Sequence, residues 1–334
     1  MKRPTKYVER CSSANVLTVV RILLDSNIWR YIVDADALVG VQKAVRASRN
    51  TIVVAPAVLY EAAHTADKRL RDELLAAMAR VAWKRLMPEA YSEAEEFKAE
   101  VRRLRPQWLR RQPDLVRFKR IRFDWVRSRG GVWDHIRAEA ELLRRHEAEM
   151  NQRTREQADA LHDQARSWSP KWRSATLTKT MATPLSPLPG WNGQPVEAWR
   201  IESLADFTAS VGLPAHPTID WIEGEVDIDR VLYQSESLVK FWLHDVIVER
   251  MPRHWLRWAF TFLQRVHRVT EGTPADAQLG TYLLDADLML SADKIFVHIA
   301  ERCRQDAPFS IATSKVVPGG AGAVAAVLAA LEDR

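Results

Sequence analysis

The chain has 334 residues, of which 47% are hydrophobic and 28% are charged, as expected for a folded, soluble protein with a sizeable core. Its net charge of +6 is concentrated in residues 98–173, where 20 Lys and Arg stand against 11 Asp and Glu, a balance that favours a phosphate-rich partner. The two cysteines, Cys11 and Cys303, are too few for a disulfide framework and lack metal-ligand spacing, which favours a reducing compartment.

Neither end of the chain predicts a targeting or membrane segment. The apolar run at residues 16–24 is interrupted by Thr18 and Arg21, and no small-residue cleavage site follows it. The longest smooth apolar stretch, residues 321–331, is about half the length that a membrane span requires. We therefore expect a cytoplasmic protein with no membrane partner.

The N-terminal part of the chain alternates between apolar strands and helices. Residues 16–24 predict a buried strand that ends at Asp25, and residues 36–48 predict a helix. Residues 51–55 predict a second strand, after which Pro56 opens the helix that carries Glu61.

The middle of the chain has a different composition. Residues 86–172 are mostly helical in pattern and rich in Arg and Trp, whereas the proline-containing residues 173–195 predict a loop or linker. Two further helices are predicted within residues 227–269.

The C-terminal part of the chain returns to the first pattern. It predicts a helix over residues 273–284, a strand over 287–290, a helix over 293–304, a strand over 309–312 and a final helix over 321–332. This alternation of strands and helices at both ends of the chain predicts an α/β fold with a parallel sheet.

Four acidic residues stand at the ends of these elements. Asp25 and Asp293 each follow an apolar strand, Glu61 lies about one turn into a helix, and Asp276 lies at a helix start. Individually, the three aspartates could simply cap helices and Glu61 could be an ordinary exposed helix residue. In open α/β sheets, however, the ligand crevice lies outside the carboxyl ends of the strands.

Taken in order, these residues resemble the pattern of the PIN-domain nuclease family. An apolar strand leads to Asp25-Ser26-Asn27, then Pro56 precedes Glu61, Asp276 opens a helix, and a second apolar strand leads to Ser291-x-Asp293. The resemblance implies that the four acids converge at the carboxyl edge of a parallel sheet and bind Mg²⁺ or Mn²⁺. It also implies that Asn27 and Ser291 steady the first and fourth acids.

The resemblance covers about residues 16–85 and 252–334, somewhat under half of the chain. It implies a PIN-like core of residues 1–85 and 252–334, with a parallel sheet flanked by helices, and a mainly helical, basic, Trp-rich insertion of residues 86–251. Two features depart from the family. More than half of the chain separates Glu61 from Asp276, whereas typical members place the two acids a few dozen positions apart, and Gly280 stands where the family usually has Ala.

The activity implied by the resemblance is divalent-metal-dependent endonuclease cleavage, with RNA favoured over DNA, as in many toxins and defence nucleases. Clustered carboxylates are hard ligands that suit Mg²⁺ or Mn²⁺ and suit Zn²⁺ poorly. A protein inhibitor or regulator and a second copy of the chain stay open as partners. Two alternatives also stay open: a non-catalytic RNA-binding or scaffold protein with a PIN-like core, and a metal-dependent phosphatase for small substrates.

The basic segment predicts the nucleic-acid contacts. Arg117, Lys119, Arg120 and Arg122 lie close together and are interleaved with aromatic residues, namely Trp108, Phe118, Phe123 and Trp125. Basic side chains hold phosphates, and aromatic rings can stack on unpaired bases. The other interpretation is a solvated helical surface, and we expect most of the tryptophans to be core residues of the insertion. The insertion could equally be a lid over the site or dock a protein partner.

Overall fold

The computed structural model describes residues 19–141, 176–213, 216–265 and 273–332. Residues 16–18 of the predicted first strand, residues 142–175 of the predicted helical segment and linker, and residues 266–269 lie outside this part of the chain. No helix in the described ranges combines the length and the apolar composition needed to cross a membrane.

Five parallel strands form the central sheet. In chain order, the strands of the described residues are β1 (Arg21–Leu24), β2 (Thr51–Val54), β3 (Lys84–Arg85), β4 (Met181–Ala182), β5 (Val196–Glu197), β6 (Leu288–Ser291) and β7 (Thr313–Val316). The central sheet has the order β3-β2-β1-β6-β7, while β4 and β5 form a separate antiparallel pair. The predicted α/β fold with a parallel sheet is confirmed. Three of its strands, β1, β2 and β6, are buried in all but their first residue, as expected for a sheet covered on both faces.

Helices flank the sheet and fill the middle of the chain. Those of the first half are α1 (Ser26–Asp34), α2 (Leu38–Ala47), α3 (Pro56–Ala63), α4 (Lys68–Met78), α5 (Glu89–Leu104), α6 (Val116–Val126) and α7 (Val132–Ala138). Those of the second half are α8 (Ala198–Gly212), α9 (Pro217–Ile222), α10 (Ile228–Tyr233), α11 (Ser235–Lys240), α12 (Pro252–Gln264), α13 (Thr273–Thr281), α14 (Lys294–Asp306) and α15 (Ala321–Glu332). Four 3-10 turns, at Pro106–Trp108, Leu177–Lys179, Val248–Arg250 and Tyr282–Leu284, and a π-helical turn at Phe241–Asp245 connect them.

The last strand lies later in the chain than predicted. The prediction of a strand over residues 309–312 is wrong, because the ladder with β6 begins where Thr313 pairs with Leu288. Phe309 instead packs its ring edge-on against Trp255 at a centroid distance of 5.5 Å. The apolar residues just before β7 therefore form a core contact and not a strand.

Two other segments are more broken than predicted. The helix expected over residues 273–284 ends at Thr281 and tightens into a 3-10 turn. Of the two helices expected within residues 227–269, the first is broken into the short helices α10 and α11 and two tight turns, whereas the second is the 13-residue helix α12. Residues 176–195, which lie in the predicted linker, include strand β4 and the buried side chain of Leu177.

The middle of the chain shares its core with the sheet-bearing part. Trp108, Trp133, Trp199 and Trp242 are fully buried, so the expectation that most tryptophans are core residues is confirmed. They belong to the same apolar cluster as the strands of the sheet.

Partly buried ion pairs join helix α5, in the middle segment of residues 86–251, to helix α12. Arg257 Nε lies 2.7 Å from Glu93 Oε1, and Arg253 donates backbone and side-chain hydrogen bonds to Glu96 and Asp285. These contacts therefore fix α12 and the helix that follows it against the middle segment.

Candidate active site

The carboxyl ends of β1, β2 and β6 meet at one edge of the sheet. The register pairs Leu23 with Val53 and Leu24 with Leu290, so all three strands end at the same level. Three of the four predicted acids come after these ends: Asp25 directly after β1, Glu61 in the helix that follows β2, and Asp293 shortly after β6. Asp276 comes from α13, which packs against α3.

Asp25 is held by hydrogen bonds to both carboxylate oxygens. It is 6% exposed and is the N-cap of α1, with Oδ1 accepting from Ser26 N at 2.7 Å. Its Oδ2 accepts from Asn27 Nδ2 at 2.8 Å and from Ser291 Oγ at 2.5 Å. Burial raises the pKa of Asp25, whereas these hydrogen bonds oppose that rise. The capping role is thus confirmed, and it orients the carboxylate at the sheet edge.

Asn27 and Ser291 join the loops that follow β1 and β6. Asn27 Oδ1 accepts from Ala292 N at 3.1 Å, and Ser291 Oγ accepts from Asp293 N at 2.9 Å. Both side chains also donate to Asp25, so each connects the first acid to the backbone leading to the fourth.

Asp293 is the N-cap of α14. Its Oδ1 accepts from the backbone amides of Ile295 at 2.7 Å and Phe296 at 3.0 Å, which satisfies two free amides of the first turn. Among the described residues, Oδ2 of Asp293 has no hydrogen-bond donor. One oxygen therefore caps the helix while the other stays free for a ligand.

Glu61 is the polar position of an otherwise buried helix. Six of the eight residues of α3 are buried, and Pro56 at its first position starts it where β2 ends. Burial, followed by the charge of Asp25, raises the pKa of Glu61 to about 7. A hydrogen bond from the Ser26 side chain acts in the opposite direction, so Ser26 contacts two of the four acids.

Asp276 lies in the first turn of α13, and the charges of the other three acids act on it. Burial raises its pKa to about 8, and Asp25, Glu61 and Asp293 each add to the rise. Gln264 Nε2, at the end of α12, donates to Asp276 Oδ2 at 3.3 Å. The structure thus brings all four predicted acids into one electrostatic cluster.

Gly280 sets the distance between α13 and α12. A Cβ at this position would lie 2.5 Å from Cδ2 of the Phe260 ring, closer than real side chains approach. Glycine in place of alanine therefore permits the close crossing that presents Asp276 to the other acids.

Ser26 and Gln264 contact the acids, although no role was predicted for them from the sequence. Ser26 could have been found, since it lies between Asp25 and Asn27. Gln264 is 12 residues before Asp276 and belongs to another helix, so no local pattern signals its contact.

The donor set is suited to a hard divalent cation. All four candidate ligands are carboxylates. Burial, and then the charges of the neighbouring acids, raise the pKa values of Glu61 and Asp276, and a cation would oppose this rise. Within the described ranges, no three Asp, Glu, His or Cys side chains form a group that could hold a metal ion. Mg²⁺ keeps several waters and is usually held by one or two carboxylates. The residues therefore fit a hydrated Mg²⁺ or Mn²⁺ better than a fully protein-coordinated ion.

No protein family, curated protein or solved structure matches this chain.

The predicted basic residues lie on α6, and three of the four have no acidic partner within the described ranges. Arg117 forms ion pairs with Asp220 and Glu223 of the middle segment. Lys119, Arg120 and Arg122 are exposed and have no acidic partner among the described residues.

The aromatic residues of the basic segment divide into side chains that are packed in the fold and one that is exposed. Trp108 and Trp125 are buried, and Phe118 packs against Trp221 and beneath the Lys98 ammonium group. Phe123, by contrast, is 58% exposed. Of these four aromatic rings, Phe123 is therefore the one available to stack on a base.

Proposed function

We propose that this chain is a divalent-metal-dependent endonuclease that hydrolyses phosphodiester bonds. The single observation that supports the proposal is the convergence of Asp25, Glu61, Asp276 and Asp293 at the carboxyl edge of the sheet, from opposite ends of the chain. Such crowding of buried acids costs stability, and a bound cation offsets that cost. The resemblance to the PIN-domain family extends the proposal to a PIN-like core and to RNA as substrate.

In the proposed enzyme, Asp25, Glu61, Asp276 and Asp293 would together hold a hydrated Mg²⁺ or Mn²⁺, partly through its water ligands. When bound, the cation would supply Lewis-acid neutralisation of the phosphodiester and a more acidic attacking water. Asp25 keeps a fixed orientation because Asn27 and Ser291 hold its Oδ2.

The other side chains have separate tasks. Without metal, burial and the charge of Asp25 raise the pKa of Glu61 to about 7; a bound cation would lower this pKa and keep Glu61 ionised as one of the metal-binding carboxylates. The exposed cations of α6 would contact phosphates of the bound RNA. No protein nucleophile is required, because water attacks.

The test is cleavage of labelled RNA and DNA in Mg²⁺, in Mn²⁺ and in chelator. We expect metal-dependent cleavage, with RNA preferred, and a loss of at least about 100-fold in Asp25→Asn and Asp293→Asn. The matched control is Asp287→Asn, since Asp287 pairs with Arg21 at the amino ends of β1 and β6, away from the acids.

Three results would count against the proposal: cleavage that survives chelation, an Asp25→Asn variant at the wild-type rate, or an Asp287→Asn variant as inactive as the other two. RNA binding without cleavage under every condition would favour the non-catalytic alternative.

A further inference from the structure

A cationic cleft lies beside β3, the edge strand of the sheet. Its volume is about 700 Å³. Five arginines line it, namely Arg46, Arg80, Arg85, Arg129 and Arg137. Asp134 is the one acidic residue among the described residues of the lining, so the cleft carries four more positive than negative charges.

The arginines come from several separate parts of the chain. Arg46 belongs to the last turn of α2, Arg80 follows α4, and Arg85 belongs to β3. Arg129 and Arg137 come from the middle segment, where α7 packs against α3 and α4. The cleft is thus formed where the middle segment meets the edge of the sheet.

Arg85 is fixed in place at the base of this cleft. Its Nη1 donates to Arg127 O at 3.3 Å, its Nη2 donates to Ala79 O, and its guanidinium lies 5.1 Å from the Trp133 ring centroid. Its Nε is buried and has no partner among the described residues. Burial lowers the pKa of Arg85, and the charge of Arg137 lowers it further against the effect of Asp134.

The other cations are poorly neutralised. Arg46 and Arg129 are exposed and have no acidic partner in the described part of the chain, and Arg80 donates to the neutral amide of Gln42. Arg137 approaches Asp134 at 3.8 Å, while the second oxygen of Asp134 accepts from Gly130 N. Facing like charges raise the free energy of the empty cleft, which an anion would lower.

Guanidinium groups match phosphate oxygens with paired donors, which makes arginine the usual residue for binding phosphates. The cleft is far larger than one phosphate, and its cations come from separate segments, as several phosphates in a row would require. Helix α6, with Lys119, Arg120 and Arg122 exposed, ends at Val126, shortly before Arg129.

We propose that this cleft binds the phosphodiester backbone of a polynucleotide at a second site, beyond the acidic cluster. The proposal rests on the proposed function, since the polynucleotide is the substrate. In the ladder, Arg85 pairs with Val54, the last residue of β2. Since β2 also pairs with β1, the backbone of Arg85 lies two strand spacings, or about 10 Å, from the end of β1. Arg46 and Arg80 lie before β2 and β3, so the cleft extends from Arg85 toward the amino ends of these strands, away from the acids.

The test measures binding of a fluorescein-labelled single-stranded RNA to the full chain by anisotropy, in chelator, across a range of KCl concentrations. Arg46→Gln/Arg129→Gln removes two unpaired cations from the cleft. The matched control, Lys43→Gln/Arg49→Gln, removes two exposed cations that do not line the cleft, also from α2 and the residues after it.

We expect the cleft variant to bind about tenfold or more weakly than the control. Its slope of log affinity against log salt should be shallower by about 1.4, since each phosphate contact contributes about 0.7 for a single strand. Equal affinities and slopes for the two double variants, or a wild type that does not bind RNA, would overturn the proposal.

A competition arm distinguishes the polynucleotide from free phosphate. Inorganic phosphate should displace the RNA no better than chloride at equal ionic strength; stronger displacement would make the cleft a site for free phosphate instead. Cleavage is scored separately. If cleavage survives chelation but the cleft variant binds RNA weakly, the proposal of a metal-dependent nuclease fails and the cleft proposal stands. If the acids are essential for cleavage but the two double variants bind RNA alike, the cleft proposal fails and the nuclease proposal stands.

Discussion

Ser291 Oγ donates a 2.5 Å hydrogen bond to Asp25 Oδ2 across 266 positions of the sequence. The same hydroxyl accepts from Asp293 N, and Ser291 is fully buried. One side chain therefore orients the first acid and orders the backbone of the fourth, without competition from water.

We expect Ser291→Ala to weaken Mn²⁺ binding by about 10- to 100-fold, the usual cost of removing a group that orients a metal ligand. The hydrogen bond from Ser291 lowers the pKa of Asp25, so its loss leaves Asp25 holding a proton more strongly against the metal. Titration of Mn²⁺ against thermal stability measures the change.

The matched control for this prediction is Ser314→Ala. Ser314 is also buried, on the neighbouring strand β7, but its hydroxyl has no hydrogen-bond partner among the described residues. Its removal should leave Mn²⁺ affinity unchanged. Equal affinities for Ser291→Ala and the wild type would show that the hydroxyl does not support a metal site.

Neutralising Asp276 should stabilise the metal-free protein at alkaline pH. Its pKa is raised to about 8 in the folded state, so the folded state binds more protons and the contribution of Asp276 to stability is lost as pH rises from about 4 to about 8. Asp276→Asn should gain on the order of 1 kcal/mol at pH 8 in chelator, after offsetting its first-turn role. The gain should vanish near pH 4, and thermal melts at both pH values measure it.

Asp287→Asn should destabilise the protein at pH 8, because the hydrogen bond from Arg21 lowers the pKa of Asp287. This exposed pair contributes at most about 1 kcal/mol, and its contribution is present at pH 8.

Mn²⁺ should also raise the melting temperature of wild type more than that of Asp276→Asn. An Asp276→Asn variant less stable than wild type at pH 8 in chelator would argue that Asp276 serves the helix start alone.

Gly280→Ala should cost about 1–3 kcal/mol, because the new methyl group overlaps the Phe260 ring. The displacement of α13 should also lower cleavage at a temperature where the variant is folded. Gly40→Ala is the control: Gly40 lies in α2, and nothing beyond its own helix comes within 4 Å of the place that a methyl group would occupy. It should be neutral or stabilising by up to about 1 kcal/mol. A Gly280→Ala variant as stable and as active as wild type would contradict the close crossing.

The cations of α6 should differ in their effect on RNA binding. Lys119→Gln/Arg120→Gln/Arg122→Gln should make the salt slope shallower by up to about 2, at about 0.7 for each phosphate that is no longer neutralised. Arg117→Gln alone should change the slope little, because Arg117 pairs with Asp220 and Glu223. Anisotropy titrations in chelator measure both, and equal slopes for the triple variant and the wild type would move the binding surface away from α6.

Local patterns predicted those parts of the fold that depend on local physics. Strands β1, β2 and β6 are short apolar runs buried on both faces, and the acids after them lie at the sheet edge because parallel strands end together. Strand β3 has two residues, Lys84 and Arg85, and carries no apolar signal. It forms because its partner β2 offers a free edge, which no local pattern shows.

The rest of the site depends on contacts between distant segments. The cleft arginines lie on both sides of the boundary between the predicted core and insertion, and composition alone does not show that Arg46 and Arg129 share a lining. Charge density identified the α6 cations, but it did not separate paired Arg117 from unpaired Lys119. That distinction requires α9, which supplies Asp220.

The order of the strands also has a consequence for biosynthesis. Strand β1 is made first, yet its neighbour β6 begins at Leu288, so most of the chain must be synthesised before Ser291 can meet Asp25. At about 5–20 residues per second, the ribosome needs on the order of ten seconds or more to synthesise the stretch between them. For most of that interval the growing polypeptide lacks Asp276 and Asp293 as well as strands β6 and β7 of its central sheet, so the acidic cluster can form only after Asp293 has been made.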